Sequence, residues 1–150
     1  MKKFFIAITL FTCIVSRSNG QDFPTIANEY CSCFEKLKDS VDTEFQDLLH
    51  RVVKQPNIKT AFQAEMQTLP AAKRVRLGQQ LEYIGTIMET GNTDAGKCGQ
   101  ALDAKYKQYN DTPEKEKDFN LKMLAELDKT SKCKFLSSLT KFALAFSDGN

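Results

Sequence analysis

The pair Cys31-Ser32-Cys33 carries the most chemical potential in this sequence, and Cys98 and Cys133 are the partners it could use. Two cysteines flanking one residue can hold a soft metal as thiolates, exchange a disulfide, or each bond a different partner. His50 is the sole histidine. Asp47, three residues earlier on the same helical face, could orient its ring, but no serine or cysteine neighbours it in sequence to act as a nucleophile. In one continuous helix, His50 stands nineteen residues, or roughly 28 Å, from Cys31, too far for a shared metal. The cysteine spacing also differs from a repeated Cys-x-x-Cys zinc pattern. The expectation is therefore no catalytic residue, no metal site and no cofactor, with His50 as a mildly favourable cation near a helix C-terminus.

The four cysteines read instead as two disulfides. Residues two apart on a helix point about 200° apart, so Cys31 and Cys33 do not bond each other while that helix is intact. Measured from the apolar stripe centred between Tyr30 and Phe34, Cys31 falls roughly 85° to one side and Cys33 roughly 75° to the other. Each is aimed at a different neighbouring helix. One of them is expected to bond Cys98 and the other Cys133. Both pairings stay open, with a small lean to Cys31–Cys133.

The elements that must position these residues read as helices. Ile26, Tyr30, Phe34, Leu37, Val41, Phe45, Leu48 and Val52 recur at steps of three and four, which predicts one helix from Pro24 to Lys54. Pro56 ends it. A second helical region spans Ile58 to Thr90, broken at Leu69-Pro70, with Gly78 and Gly85 inside its longer part. Each glycine costs roughly 1 kcal/mol against alanine in a helix, so a close approach by another helix is the expected reason for both. A third helix runs from Ala95 to Tyr109. Thr112 as N-cap, with Pro113 at the first helical position and Glu114 and Glu116 behind it, opens the last region, which runs to Phe146 with a bend near Thr130-Ser131. No segment alternates as a half-buried strand does. The class is all-α: an antiparallel up-down helical bundle of four to six helices, cross-linked by two disulfides at one end.

Residues 1–20 stand apart from that domain. Met1-Lys2-Lys3, a twelve-residue apolar run from Phe4 to Val15, and small residues at Ser18 and Gly20 read as a secretory signal peptide cut before Gln21. The run is shorter than the about 20 residues of a membrane span. A lipidated Cys13 is disfavoured because Thr12 is a poor residue before it and the apolar run continues past it. Residues 21–150 then form a single helical domain. The leader and its following glutamine resemble those of exported bacterial proteins, a resemblance that implies export and carries no function. The chain has 21 Lys+Arg and 19 Asp+Glu. Lys2, Lys3 and Arg17 leave with the leader, so 18 bases face 19 acids and the mature net charge is −1. A near-neutral domain carries no electrostatic footprint for nucleic acid. The short basic cluster Lys73-Arg74-Val75-Arg76 reads as a solvated helix face.

These observations predict an exported, periplasmic or extracellular, non-catalytic binding protein whose partner is another protein, as for an inhibitor or immunity-like protein. Such a partner calls for an exposed apolar patch. The first alternative is a carrier of a small apolar ligand inside the bundle, suggested by Phe34, Phe45, Phe62, Phe119, Phe135, Phe142 and Phe146; it requires a cavity of several hundred Å³. The second alternative is a thiol-redox or metal-binding protein using the Cys-x-Cys pair.

Overall fold

The computed structural model describes residues 22–147, apart from the side chains of residues 88–90 and 147. The expected signal peptide, and Cys13 within it, lie outside the described residues. The described chain is all-α: α1 (Phe23–Asp39), α2 (Thr43–Val52), α3 (Ile58–Thr68), α4 (Ala71–Thr90), α5 (Asp94–Lys105), α6 (Pro113–Leu127) and α7 (Lys134–Ser147), with short 3-10 turns at Lys107–Tyr109 and Ser131–Cys133. Seven α-helices exceed the expected four to six.

The extra break falls at Ser40-Val41-Asp42, so the helix expected over 24–54 is two. The apolar steps Leu37 to Val41 to Phe45 fit a continuous helix, which hides the interruption from periodicity. Local chemistry makes the break. Asp42 takes an extended backbone (ψ 145°) as the residue before α2. Its N–H donates to Gln80 Oε1 of α4 (2.9 Å). Gln46 reaches back and donates to the carbonyls of Lys38 (2.9 Å) and Val41 (3.1 Å), satisfying groups that the end of α1 leaves open. The other ends follow their capping residues. Asp22, Asn57, Thr93 and Thr112 each accept an N–H three residues on, opening α1, α3, α5 and α6.

The core sits where α1 packs on α5 and α6, α2 on α7, and α6 on α7, with α3 resting on α2 and α7 and α4 on α5. α1 and α5 run in opposite directions: Tyr30 meets Asp103 and Cys33 meets Cys98. Phe45, Leu48, Leu49, Val52 and Leu77 are the most deeply buried side chains. The basic cluster on α4 is exposed, as expected of a solvated helix face, and two of its residues also pair with acids at the start of α2. Lys73 pairs with Glu44, and Arg76 with both Asp42 and Glu44.

Glycines mark the tight approach of α5 to α4 and to α1, at positions other than the two expected. Gly91 ends α4 with φ 60°, a left-handed conformation that favours glycine. A Cβ on Gly96 would collide with the Ile87 carbonyl and lie 3.0 Å from Gly91 Cα, and one on Gly99 would lie 2.9 Å from the Phe34 ring. At Gly78 and Gly85, by contrast, a Cβ would meet nothing within 4 Å. The close approach expected at those two positions does not occur.

Candidate functional site

The cysteines are joined in two bonds, Cys31–Cys133 and Cys33–Cys98, with Cα atoms 5.3 and 5.5 Å apart. Both cysteines of the pair sit midway along α1, on opposite flanks of its inward stripe. Cys31 bonds the 3-10 turn that leads into α7, and Cys33 bonds the second turn of α5. With these four sulfurs bonded, none of them is a thiolate available to a metal or for nucleophilic attack. Among the described residues no group of three or more His, Cys, Asp and Glu could hold a metal ion.

The α1–α2 break alters the surroundings of His50. In place of the 28 Å separation expected along one helix, α2 turns back and His50 and Cys31 line the same shallow cleft of about 200 Å³. The ring is half-buried, and its Nδ1 lies 2.7 Å from Ser138 Oγ on α7. With the proton on Nε2, the hydroxyl donates to Nδ1. This brings a base and a hydroxyl together, a juxtaposition invisible in sequence because the two are 88 residues apart. Ser138 is only 5% exposed and lines, with His50, a second open cleft of about 260 Å³; the contact joins α2 to α7. Asp47, expected to orient the ring, is exposed, and the orienting contact comes from Ser138. Next to it, Ser137 donates to Asp128, which also pairs with Lys141 at 2.7 Å. Burial pushes the Asp128 carboxyl up, but Lys141 and Ser137 outweigh it and hold it below its usual range.

Burial, then the nearby Lys134, lowers the His50 pKa below its ordinary 6.5, against the pull of Asp47. The fold therefore favours the neutral ring. Its contribution to stability is complete above pH 6.5 and is lost as pH falls through the lower folded value. Thermal unfolding followed between pH 7.5 and pH 5 should show this loss in the wild type. In His50→Asn, which keeps an acceptor for Ser138, the slope over that interval should flatten. An unchanged slope would place the acid sensitivity elsewhere.

The larger feature is a half-open groove. A cavity of about 680 Å³ opens between five of the helices. α1 contributes Tyr30 and Phe34; α4 contributes Leu81, Ile84 and Gly85; α5 passes with Gly96, Gly99, Gln100 and Asp103. α6 lays Glu116, Phe119, Asn120, Met123 and Leu127 along one face, and α7 closes the wall with residues that include Leu136, Leu139, Thr140 and Phe142. Residue size contributes to the space: Gly85 presents no side chain where its neighbours Leu81 and Ile84 do, and a Cβ there would meet nothing within 4 Å. Most of the lining is apolar. Its polar groups are Tyr30, Gln100, Asp103, Asn110, Glu116, Asn120 and Thr140.

Of the seven phenylalanines singled out from the sequence, Phe34, Phe119, Phe142 and Phe146 line this cavity. Phe45 and Phe135 are packed core, and Phe62 meets the rings of Phe142 and Phe146 at 4.9 and 6.0 Å. Sequence reasoning did not find the roles of Gly85, Asp103 and Glu116. Gly85 carries a signal, a helix-interior glycine with no obvious use, but the reading it invites is close packing.

Tyr30 joins the cavity to the shell around it. Its hydroxyl donates to Asp103 Oδ1 at 2.7 Å, and its ring lies 6.4 Å from both Phe119 and Tyr106. Burial and the Asp103 carboxylate raise its pKa well above the ordinary phenol value, so it stays a neutral donor. Tyr106 donates to Glu29, which also pairs with Lys105. Lys105 and then Tyr106 hold the Glu29 carboxyl below its usual range. No helix among the described residues is long and apolar enough to cross a membrane. Compared with protein-family models, with curated proteins and with solved structures, the chain matches none.

Proposed function

We propose that this chain is an exported, non-catalytic carrier that holds a small apolar molecule in the cavity between α1, α4, α5, α6 and α7. The supporting observation is the cavity itself. Its volume of about 680 Å³ lies within the roughly 300–1,000 Å³ range of pockets that enclose small molecules, and such pockets are walled mostly by apolar and aromatic groups with a few polar ones. Two disulfides suit an oxidising compartment outside the cytoplasm, which agrees with the leader read from residues 1–20.

The carrier reading takes precedence over a protein partner for a specific reason. Among the described residues the exposed large apolar side chains are Val75 and Tyr83 on α4, Leu121 on α6 and Phe146 on α7. Scattered apolar residues on a surface need no partner to explain them, whereas a docking face needs them contiguous.

The test uses the disulfide-bonded protein and N-phenylnaphthylamine, a neutral probe that fluoresces in apolar surroundings. Saturable enhancement at about one probe per chain, with a rise in thermal midpoint as probe is added, is the expected result. Absence of both effects would end the carrier reading and return a protein partner to the front.

A further inference from the structure

We infer that the cavity selects a cationic amphiphile, a single apolar chain ending in an ammonium head, and discriminates against carboxylate-headed chains such as fatty acids. This rests on the carrier reading and adds the chemistry of the head group. Asp103 and Glu116 are the charged residues of the cavity lining, and no lysine, arginine or histidine among the described residues lines it. Neither acid has a cationic partner among the described residues. Of the bases near them in sequence, Lys105 pairs with Glu29 at 2.8 Å and Lys115 with Asp111 at 2.8 Å. Neither Lys107, four residues from Asp103, nor Lys117, beside Glu116, forms an ion pair with either acid among the described residues. Two unneutralised carboxylates beside a low-dielectric space attract a cation and repel an anion, and the apolar wall strengthens both effects.

The arrangement of the lining adds direction. Glu116, Asn120, Met123 and Leu127 succeed one another at helical spacing along α6, so the wall changes from polar to apolar over about 16 Å. The Tyr30–Asp103 hydrogen bond and the Tyr30–Phe119 ring contact place Asp103 beside the Phe119 turn of α6, at the polar part of that wall. Both acids are exposed, so they lie at the rim where a head group stays partly hydrated while its chain is enclosed.

Three probes of one chain length separate head from tail: dodecylamine, dodecanol and dodecanoate, each displacing N-phenylnaphthylamine from the oxidised protein at neutral pH and low salt. The amine is expected to displace at about tenfold lower concentration than the carboxylate, with the alcohol between them, since partly exposed charges each contribute modestly. Asp103→Asn combined with Glu116→Gln should bring the three within about twofold of one another. Asn keeps the acceptor for Tyr30, so circular dichroism and thermal midpoint serve as controls on folding. Equal displacement by amine and carboxylate, or tighter carboxylate, would overturn the head-group inference and leave the carrier reading standing. A protein that binds neither the neutral probe nor any of the three would overturn both.

Discussion

Replacing Cys31 and Cys133 together by alanine is expected to lower the thermal midpoint by roughly 10–20 °C, the largest stability effect foreseen for any pair in this chain. The bond closes a sequence separation of 102 residues around the inner pair, which spans 65. With Cys33–Cys98 intact, the shorter path between Cys31 and Cys133 runs through that bond. It covers two residues from Cys31 to Cys33 and 35 from Cys98 to Cys133, or 37. The chain-entropy model gives about 4 kcal/mol for a loop of that size, and about 1 kcal/mol moves the midpoint of a domain this large by a few degrees. Alanine is the right replacement because both sulfurs are buried, at 2% and 3% exposure, and a serine hydroxyl there would need a new partner. The same burial orders the response to reductant. Cys33 and Cys98 are only half-buried, so a thiol reaches them first. Native-state reduction followed by alkylation should give an intermediate labelled at Cys33 and Cys98 and still bridged at Cys31–Cys133. Earlier labelling of Cys31 would contradict the burial argument, and a midpoint shift of only a few degrees would contradict the entropic one.

How far this scaffold can be read in advance depends on which forces act locally. Helix positions follow apolar spacing and caps, because Ile26, Phe34, Leu37, Phe45, Leu48 and Val52 are all buried and Thr112-Pro113 opens α6. The separate orientations of Cys31 and Cys33 on one helix likewise require only the angle per residue. The break at Ser40-Val41-Asp42 is hidden, although Ser40 and Asp42 are residue types that favour caps and turns. Val41 keeps the four-residue apolar step on both sides, and the Gln80–Asp42 bond that holds the break is a contact between distant segments. The neighbours of His50 are hidden for the same reason. Once the chain turns there, distances measured along a single helix lose their meaning.

The cavity is the least legible feature, since an empty volume is a property of several helices at once. The phenylalanines hint at an apolar interior but cannot distinguish a filled one from a hollow one. The fold divides them: Phe45 and Phe135 fill core, while Phe34 and Phe119 face the space. The acids at its rim give no sign, because Asp103 and Glu116 sit in ordinary charged stretches of α5 and α6. What distinguishes them is their place on the lining of the cavity, and a place shared between segments cannot be read along one of them.

Gly85→Trp is expected to abolish probe binding while leaving the fold intact. Gly85 faces the cavity, with nothing within 4 Å of the position a Cβ would take, so an indole can enter without displacing backbone. A helix-interior glycine costs up to about 1 kcal/mol against other residues, so the substitution should hold or raise the thermal midpoint. Loss of binding would then reflect occupied space and not unfolding. Gly78→Trp is the matched control: the position also has nothing within 4 Å, lies on the same helix and is exposed, and is not part of the lining. It should bind the probe as the wild type does. The native chain contains no tryptophan, so each variant reports on its own surroundings. Emission should be shifted to the blue for the indole at position 85 and solvent-like for the one at 78. Full probe binding by Gly85→Trp, together with solvent-like emission, would mean that the indole stays outside and that the volume between α4 and α6 is not the ligand's place. Blue-shifted emission with lost binding would locate the ligand between those helices, independently of which head group it carries.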